Sequence, residues 1–262
     1  MYRRQALRAV TALTAGGVAG CLGTDQTAVK AGQTEAEQDQ LDPEEDVSGD
    51  GFTVRQKQEL LDDTTVGRMD IFVEIDWTPG NRPDPDALDR LVAVYDSAPV
   101  ERDHGAEDGI NLHIVYGETV PEPDGPTGIP ELQECKRNYF ENSGRGHHYA
   151  LFVEEIDGEM MGMAEPGEVL IQTDIPEAVD TTTVQLFAHE FGHALGLEPE
   201  LFDGIDSTIY GTEEYPSVMN YEVMFETNQL DFSDGTNGET DFDEWEFIAT
   251  DLYIPDTSEL KT

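Results

Sequence analysis

Apolar and polar residues alternate in RMDIFVEIDW (68–77), a run rich in Ile, Val and Phe, and this pattern predicts a strand. In DPDALDRLVAVYDSA (84–98) the apolar positions recur at helical spacing after an Asp-Pro start, which predicts a helix. INLHIVYG (110–117) reads as a second strand and IPELQECKRNYFENSG (129–144) as a second helix ending near a glycine. HYALFVEEI (148–156) and EVLIQTD (168–174) are further strands. DTTTVQLFAHEFGHALG (180–196) is a strong helix, with Asp180 as its expected N-cap and Gly196 at its C-terminal end. DFDEWEFIATDLY (241–253) is the last helix. Strands alternating with helices predict an α/β fold on a twisted, mostly parallel sheet.

The pattern fades toward the N-terminus. Residues 22–51 hold almost no large apolar side chains, so little burial is available to offset ordering entropy. They are expected to form a disordered acidic tether ahead of a domain over 52–262. Before them, MYRRQALRAVTALTAGGVAGCLG joins a basic start to an apolar run too short to span a membrane comfortably, as in a signal peptide over residues 1–21. Arg3-Arg4 resembles a twin-arginine export signal. VAGC at 18–21 resembles a lipobox, which would leave Cys21 lipidated at the mature N-terminus and the protein on the outer face of the cell membrane. The remaining thiol, Cys135, then has no intramolecular disulfide partner and reads as a buried structural cysteine.

Charge narrows the partners. The chain carries 57 acidic and 14 basic residues, a formal charge of −43, which opposes binding to nucleic acid or an anionic membrane surface. Contact with a membrane is expected only through the N-terminal lipid. The acids run along the whole chain, and lysine is confined to Lys30, Lys57, Lys136 and Lys261. This composition resembles that of extreme halophiles, whose surfaces are solvated in concentrated salt where repulsion is screened.

The chemistry centres on HEFGHALGLEPE (189–200). His189 and His193 lie one turn apart on one helix face, so both imidazoles can reach a single metal. Glu190 can reach a metal-bound water without ligating the metal, and zinc lowers the pKa of that water. Phe187, Phe191, Ala194 and Leu195 make the helix apolar over much of its surface, so these polar side chains need buried partners.

Downstream stands YPSVMNY (215–221), and here the chain resembles the metzincin clan of zinc metallopeptidases. His189, Glu190, His193 and Gly196 match the first part of its HExxHxxGxxH motif. Met219 matches the turn methionine that forms an apolar floor beneath the metal, and Tyr221 the tyrosine that reaches toward it in some of these families. The resemblance implies Zn2+ as cofactor, Glu190 as general base, Tyr221 as a helper at the oxyanion, and a protein or peptide substrate.

Pro199 stands where that motif has its third ligand, and proline cannot bind a metal. A short helical turn opened by Pro199 and ended by Gly204 would carry the chain further. If the chain extends at Gly204, Ile205 turns inward and Asp206 faces the metal. Asp206 is therefore preferred as third ligand, ahead of Asp203, then Glu198 or Glu200, then water alone. Glu244 or Glu246 on the last helix would suit a gluzincin plan, which leaves Gly196 and Met219 unexplained. His147-His148 opens a strand and reads more simply as surface or hydrogen-bonded residues than as a second metal site; His104 and His113 stand alone. DFSDGTNGETDFDE (231–244) faintly suggests a calcium loop but lacks EF-hand spacing. The competing reading is a surface lipoprotein that keeps zinc as structure and binds a partner without turnover. Against it, a structural zinc site has no need of Glu190.

Overall fold

The computed structural model describes residues 41–100, 108–123, 125, 127–158, 160–176 and 181–261. Cys21, the rest of the N-terminal signal, His104 and Asp180 lie outside the described residues. Six helices and five strands follow in the order α1 (Val54–Glu59), β1 (Met69–Trp77), α2 (Pro85–Asp96), β2 (Ile110–Thr119), α3 (Ile129–Tyr139), β3 (His147–Val153), β4 (Gly162–Glu165), β5 (Glu168–Gln172), α4 (Thr183–Leu195), α5 (Tyr221–Glu226) and α6 (Glu244–Asp251). The sheet order is β2-β1-β3-β5-β4. All pairs are parallel except β4 with β5, so the expected mostly parallel α/β sheet is present with an antiparallel edge strand. No helix among the described residues is long and apolar enough to cross a membrane.

One face of the sheet holds the main core. Met69, Ile71, Val73 and Ile75 of β1, with Ala150 and Phe152 of β3, pack against Leu88, Leu91 and Tyr95 of α2 and Phe187 and Phe191 of α4. Each large apolar side chain so buried stabilises the fold by about 1.5–3 kcal/mol. The other face meets α3 through Leu132 and Cys135, against Tyr149, Leu151 and Leu170.

The alternation in β1 conceals something. Its second face carries Asp70, Glu74 and Asp76, all buried. Asp70 takes the Lys57 ammonium at 2.7 Å and Asn111 at 2.9 Å. Glu74 accepts the amides of Glu141 and Asn142, both at 2.9 Å. Asp76 accepts the amide of Glu118 at 2.7 Å and the Tyr149 hydroxyl at 2.9 Å. Each buried carboxylate thus has donors, the condition for keeping a charge out of water.

Packing also begins before Phe52, the expected start of the domain. Asp50, placed by sequence in the tether, is buried and binds Lys57 at 2.5 Å. Two other boundaries move. Helix α3 stops at Tyr139 because Phe140 turns extended (φ −63°, ψ 99°), and α6 begins at Glu244 with Asp243 as its cap.

Candidate metal centre

Helix α4 is closed at both ends by its own sequence. The cap is Thr182, not Asp180: the Thr182 hydroxyl accepts the Gln185 amide at 3.3 Å, and the Gln185 side chain accepts the Thr182 amide at 3.2 Å. At the other end Gly196 adopts φ 108°. Gly196 N–H then donates to the His193 carbonyl at 2.8 Å and Leu197 N–H to the Gly192 carbonyl at 3.0 Å, a Schellman closure. This turn places the Leu197 carbonyl 2.6 Å from Nδ1 of His193.

His189 is oriented from farther away. Its Nδ1 lies 3.0 Å from the carbonyl of Val218, in the loop before α5. A carbonyl can only accept, so in both rings Nδ1 carries a proton and Nε2 is left facing Asp206, as a donor when the ring is protonated and with a free lone pair when it is neutral. Both Nε2 atoms converge on one oxygen. Oδ1 of Asp206 lies 3.0 Å from Nε2 of His189 and 3.2 Å from Nε2 of His193. His189, His193 and Asp206 form a possible metal-binding triad whose ligand atoms all lie within 4.8 Å of one another. Three acceptors facing one another repel unless a cation stands among them, whether a shared proton or a metal ion.

The third member of the triad is delivered by an unexpected backbone. The chain does not extend at Gly204; residues 203–206 form turns, and Asp206 itself takes a left-handed conformation at φ 55°. Its amide donates to the Met219 carbonyl at 3.0 Å, which pins the turn to the loop beneath the site. Gly204 is needed for space: a β-carbon there would stand 2.7 Å from the Tyr215 ring. Asp203, Glu198 and Glu200 are exposed and do not join the triad. Nor do Glu244 and Glu246: Glu246 is exposed, and Glu244 is buried against Tyr215 and Ser217.

Met219 is fully buried beneath α4, against Gly192. Tyr221 stacks on His189 with ring centroids 5.5 Å apart. Burial, then the charge and hydrogen bond of Asp206, push its hydroxyl up to about 12. Glu190 is half-buried against Gly162 at the start of β4, where a β-carbon would collide with its carboxylate. Burial raises Glu190, and the two histidines partly offset this. For His193 the hydrogen bond and charge of Asp206 outweigh burial and raise the ring. Burial would raise Asp206, but its hydrogen bonds to both rings win and hold it well below the usual carboxylate range.

The other described histidines stay apart from the triad. His113 binds Asp70 at 2.7 Å and stacks on Phe72 at 4.2 Å. His148 is buried edge-on to Phe191, and burial depresses it to about 3. In the Asp- and Gly-rich loop, Asp241 accepts the Ser233 hydroxyl at 2.5 Å and the Asn237 amide at 2.9 Å. Sequence reading passed over Gly162 and Gly192, and weighed Glu244 only as an alternative ligand. Gly192 carried a signal, since glycine inside a helix lowers its stability and calls for a packing reason.

No family model matches the chain, and no curated protein matches it. Among solved structures it is similar to archaemetzincin from Archaeoglobus fulgidus complexed with malonate, at 14% identity and a TM-score of 0.29, over 63% of this chain and 96% of that one. It is also similar to a chain in the structure of a chaperone–substrate complex, at 13% identity and a TM-score of 0.38, over 75% of this chain. It spans 34% of the length of that chain. Similarity at this level leaves the function to be argued from the residues themselves.

Proposed function

We propose that the chain is a zinc-dependent peptidase. The observation that carries this reading is the convergence of two Nε2 atoms and one carboxylate oxygen, with both Nδ1 atoms held by carbonyls. Two imidazoles and a carboxylate form a donor set suited to catalytic zinc, which takes three protein ligands and leaves a position open. Zinc, when bound, would acidify a ligated water and polarise a substrate carbonyl. Glu190 projects from the same helix yet stands outside the triad, against Gly162. In this reading it takes a proton from the attacking water and passes it to the leaving amine. Tyr221, with its hydroxyl pushed to about 12, keeps its proton near neutral pH and can donate to the developing oxyanion.

The second reading, a non-catalytic zinc protein that binds a partner, has the same ligands and no use for Glu190. Glu190→Ala separates the two. The peptidase reading expects about one zinc per chain retained and nearly all hydrolysis of an unspecific protein substrate lost. Zinc binding without hydrolysis by the wild type in any salt concentration would favour the partner-binding reading.

Export and lipid anchoring belong to the same proposal and rest on the N-terminal sequence, Arg3-Arg4 and Cys21. Mass spectrometry of the mature N-terminus tests them; a start other than a lipidated Cys21 rejects the anchor.

A further inference from the structure

Glu244 opens α6, a helix that contributes nothing to the triad, yet its side chain is fully buried. Its carboxylate accepts hydrogen bonds from the Tyr215 hydroxyl, the Ser217 hydroxyl and the amide of Ser233, the last at 2.7 Å. The first two connections lead to the metal centre by separate routes.

Ser217 passes the connection to the loop under α4. Its Oγ accepts the amide of Met219 at 3.0 Å. The same stretch presents the Val218 carbonyl to Nδ1 of His189 and the Met219 carbonyl to the amide of Asp206, each at 3.0 Å. Tyr215 passes the connection to the turn before Asp206. Its ring meets Phe202 edge-on at 4.9 Å and stands where a side chain on Gly204 would go. Asn220 ties the two routes together by donating to the Tyr215 carbonyl at 2.9 Å.

We propose that Glu244 is a positioning residue for the metal centre, the common anchor of the turn 202–206 and the loop 215–219. These two segments supply Asp206 and the carbonyl that orients His189, while α4 supplies only the rings. The inference rests on the metal-centre reading above, which the test also isolates.

The experiment uses the full chain, stripped with chelator and titrated with cobalt(II), which reports both affinity and ligand geometry through its visible bands. Glu244→Gln keeps the volume but puts an NH2 in place of one accepting oxygen, so a hydroxyl that donates to it must turn to accept or the Ser233 amide loses its acceptor. Its cobalt affinity should fall by about tenfold or more, with altered visible bands, as expected when a ligand-orienting partner is disturbed. Ser217→Ala removes the hydroxyl that joins Glu244 to the Met219 amide but leaves the Tyr215 and Ser233 bonds to Glu244, and gives a second, milder disruption in the same direction should Glu244→Gln fail to fold. Leu132→Ala, in the core on the other face of the sheet, lowers stability and should leave cobalt affinity within about twofold. Wild-type affinity and bands in the folded Glu244 or Ser217 variant would overturn the inference. So would an equal loss in Leu132→Ala. A wild-type chain that binds no cobalt would instead remove the metal-centre reading, and this inference with it.

Discussion

Gly192 makes room for Met219: a β-carbon on Gly192 would stand 2.5 Å from the methionine sulfur and 3.0 Å from the Phe232 ring. The close approach lets the loop carrying Val218 and Met219 lie directly under α4, within reach of His189. In an open helix, Gly→Ala gains about 1 kcal/mol of helix propensity. Here overpacking of about 1–3 kcal/mol opposes that gain and should exceed it. Gly192→Ala is expected to lower the denaturation midpoint and to weaken metal binding, because the displaced loop also holds Asp206. A stabilised Gly192→Ala would show that the loop yields freely.

Asp206 is expected to dominate metal affinity among the acids after α4. Asp206→Ala leaves two histidines from one helix, and zinc affinity should drop by about tenfold or more. Asp203→Ala and Glu200→Ala remove exposed carboxylates outside the triad and should change affinity little. A zinc titration of the three variants decides the ranking; tight binding by Asp206→Ala would place the third ligand elsewhere.

Lys57 is buried between Asp50 at 2.5 Å and Asp70 at 2.7 Å, and also donates to the Arg68 carbonyl at 2.6 Å. Lys57→Met strands two carboxylates without their cation. The expected loss is about 3–5 kcal/mol, far more than a surface ion pair would show. Chemical denaturation at neutral pH measures it. A loss below about 1 kcal/mol would mean that water reaches Asp50 and Asp70.

Acid should act through His148. Burial holds its pKa at about 3 in the fold, while the unfolded chain takes up the proton at about 6.5. Between these values the unfolded state binds more protons, so stability rises with pH and is lost as pH falls below 6.5. The slope for this one ring is roughly 1.4 kcal/mol per pH unit. Burial acts in the opposite sense on Asp50, raised to about 6, and Glu244, raised to about 7. Their stabilising protonation is lost as pH rises, so the wild-type profile mixes signs. Comparing wild type with His148→Leu cancels those contributions. From pH 6.5 to 5 the wild type should lose roughly 2 kcal/mol more than the variant. Parallel profiles would place the ring in contact with water.

What the sequence determined by itself was local in origin. The spacing of apolar residues placed the main helices and strands and the α/β order, since periods of two and 3.6 depend only on neighbours along the chain. The same geometry put His189 and His193 on one face of α4, and Gly196 marked the turn that brings the Leu197 carbonyl onto His193. The short edge strand β4 and helices α1 and α5 were not legible, because their few residues carry too little periodicity. The burial of the acids of β1 was not legible, because alternation reports polarity and not burial; the amides of Glu118, Glu141 and Asn142, folded back over the sheet, make that face an interior. Asp206 was preferred among the acids beyond Pro199, but on an extension at Gly204 that does not occur. The tertiary structure singled it out through the Met219 carbonyl on its amide and the Tyr215 ring against Gly204, while Val218 separately set the ring of His189. Those contacts join segments distant in sequence, and their energy depends on how the segments pack, which no local pattern encodes.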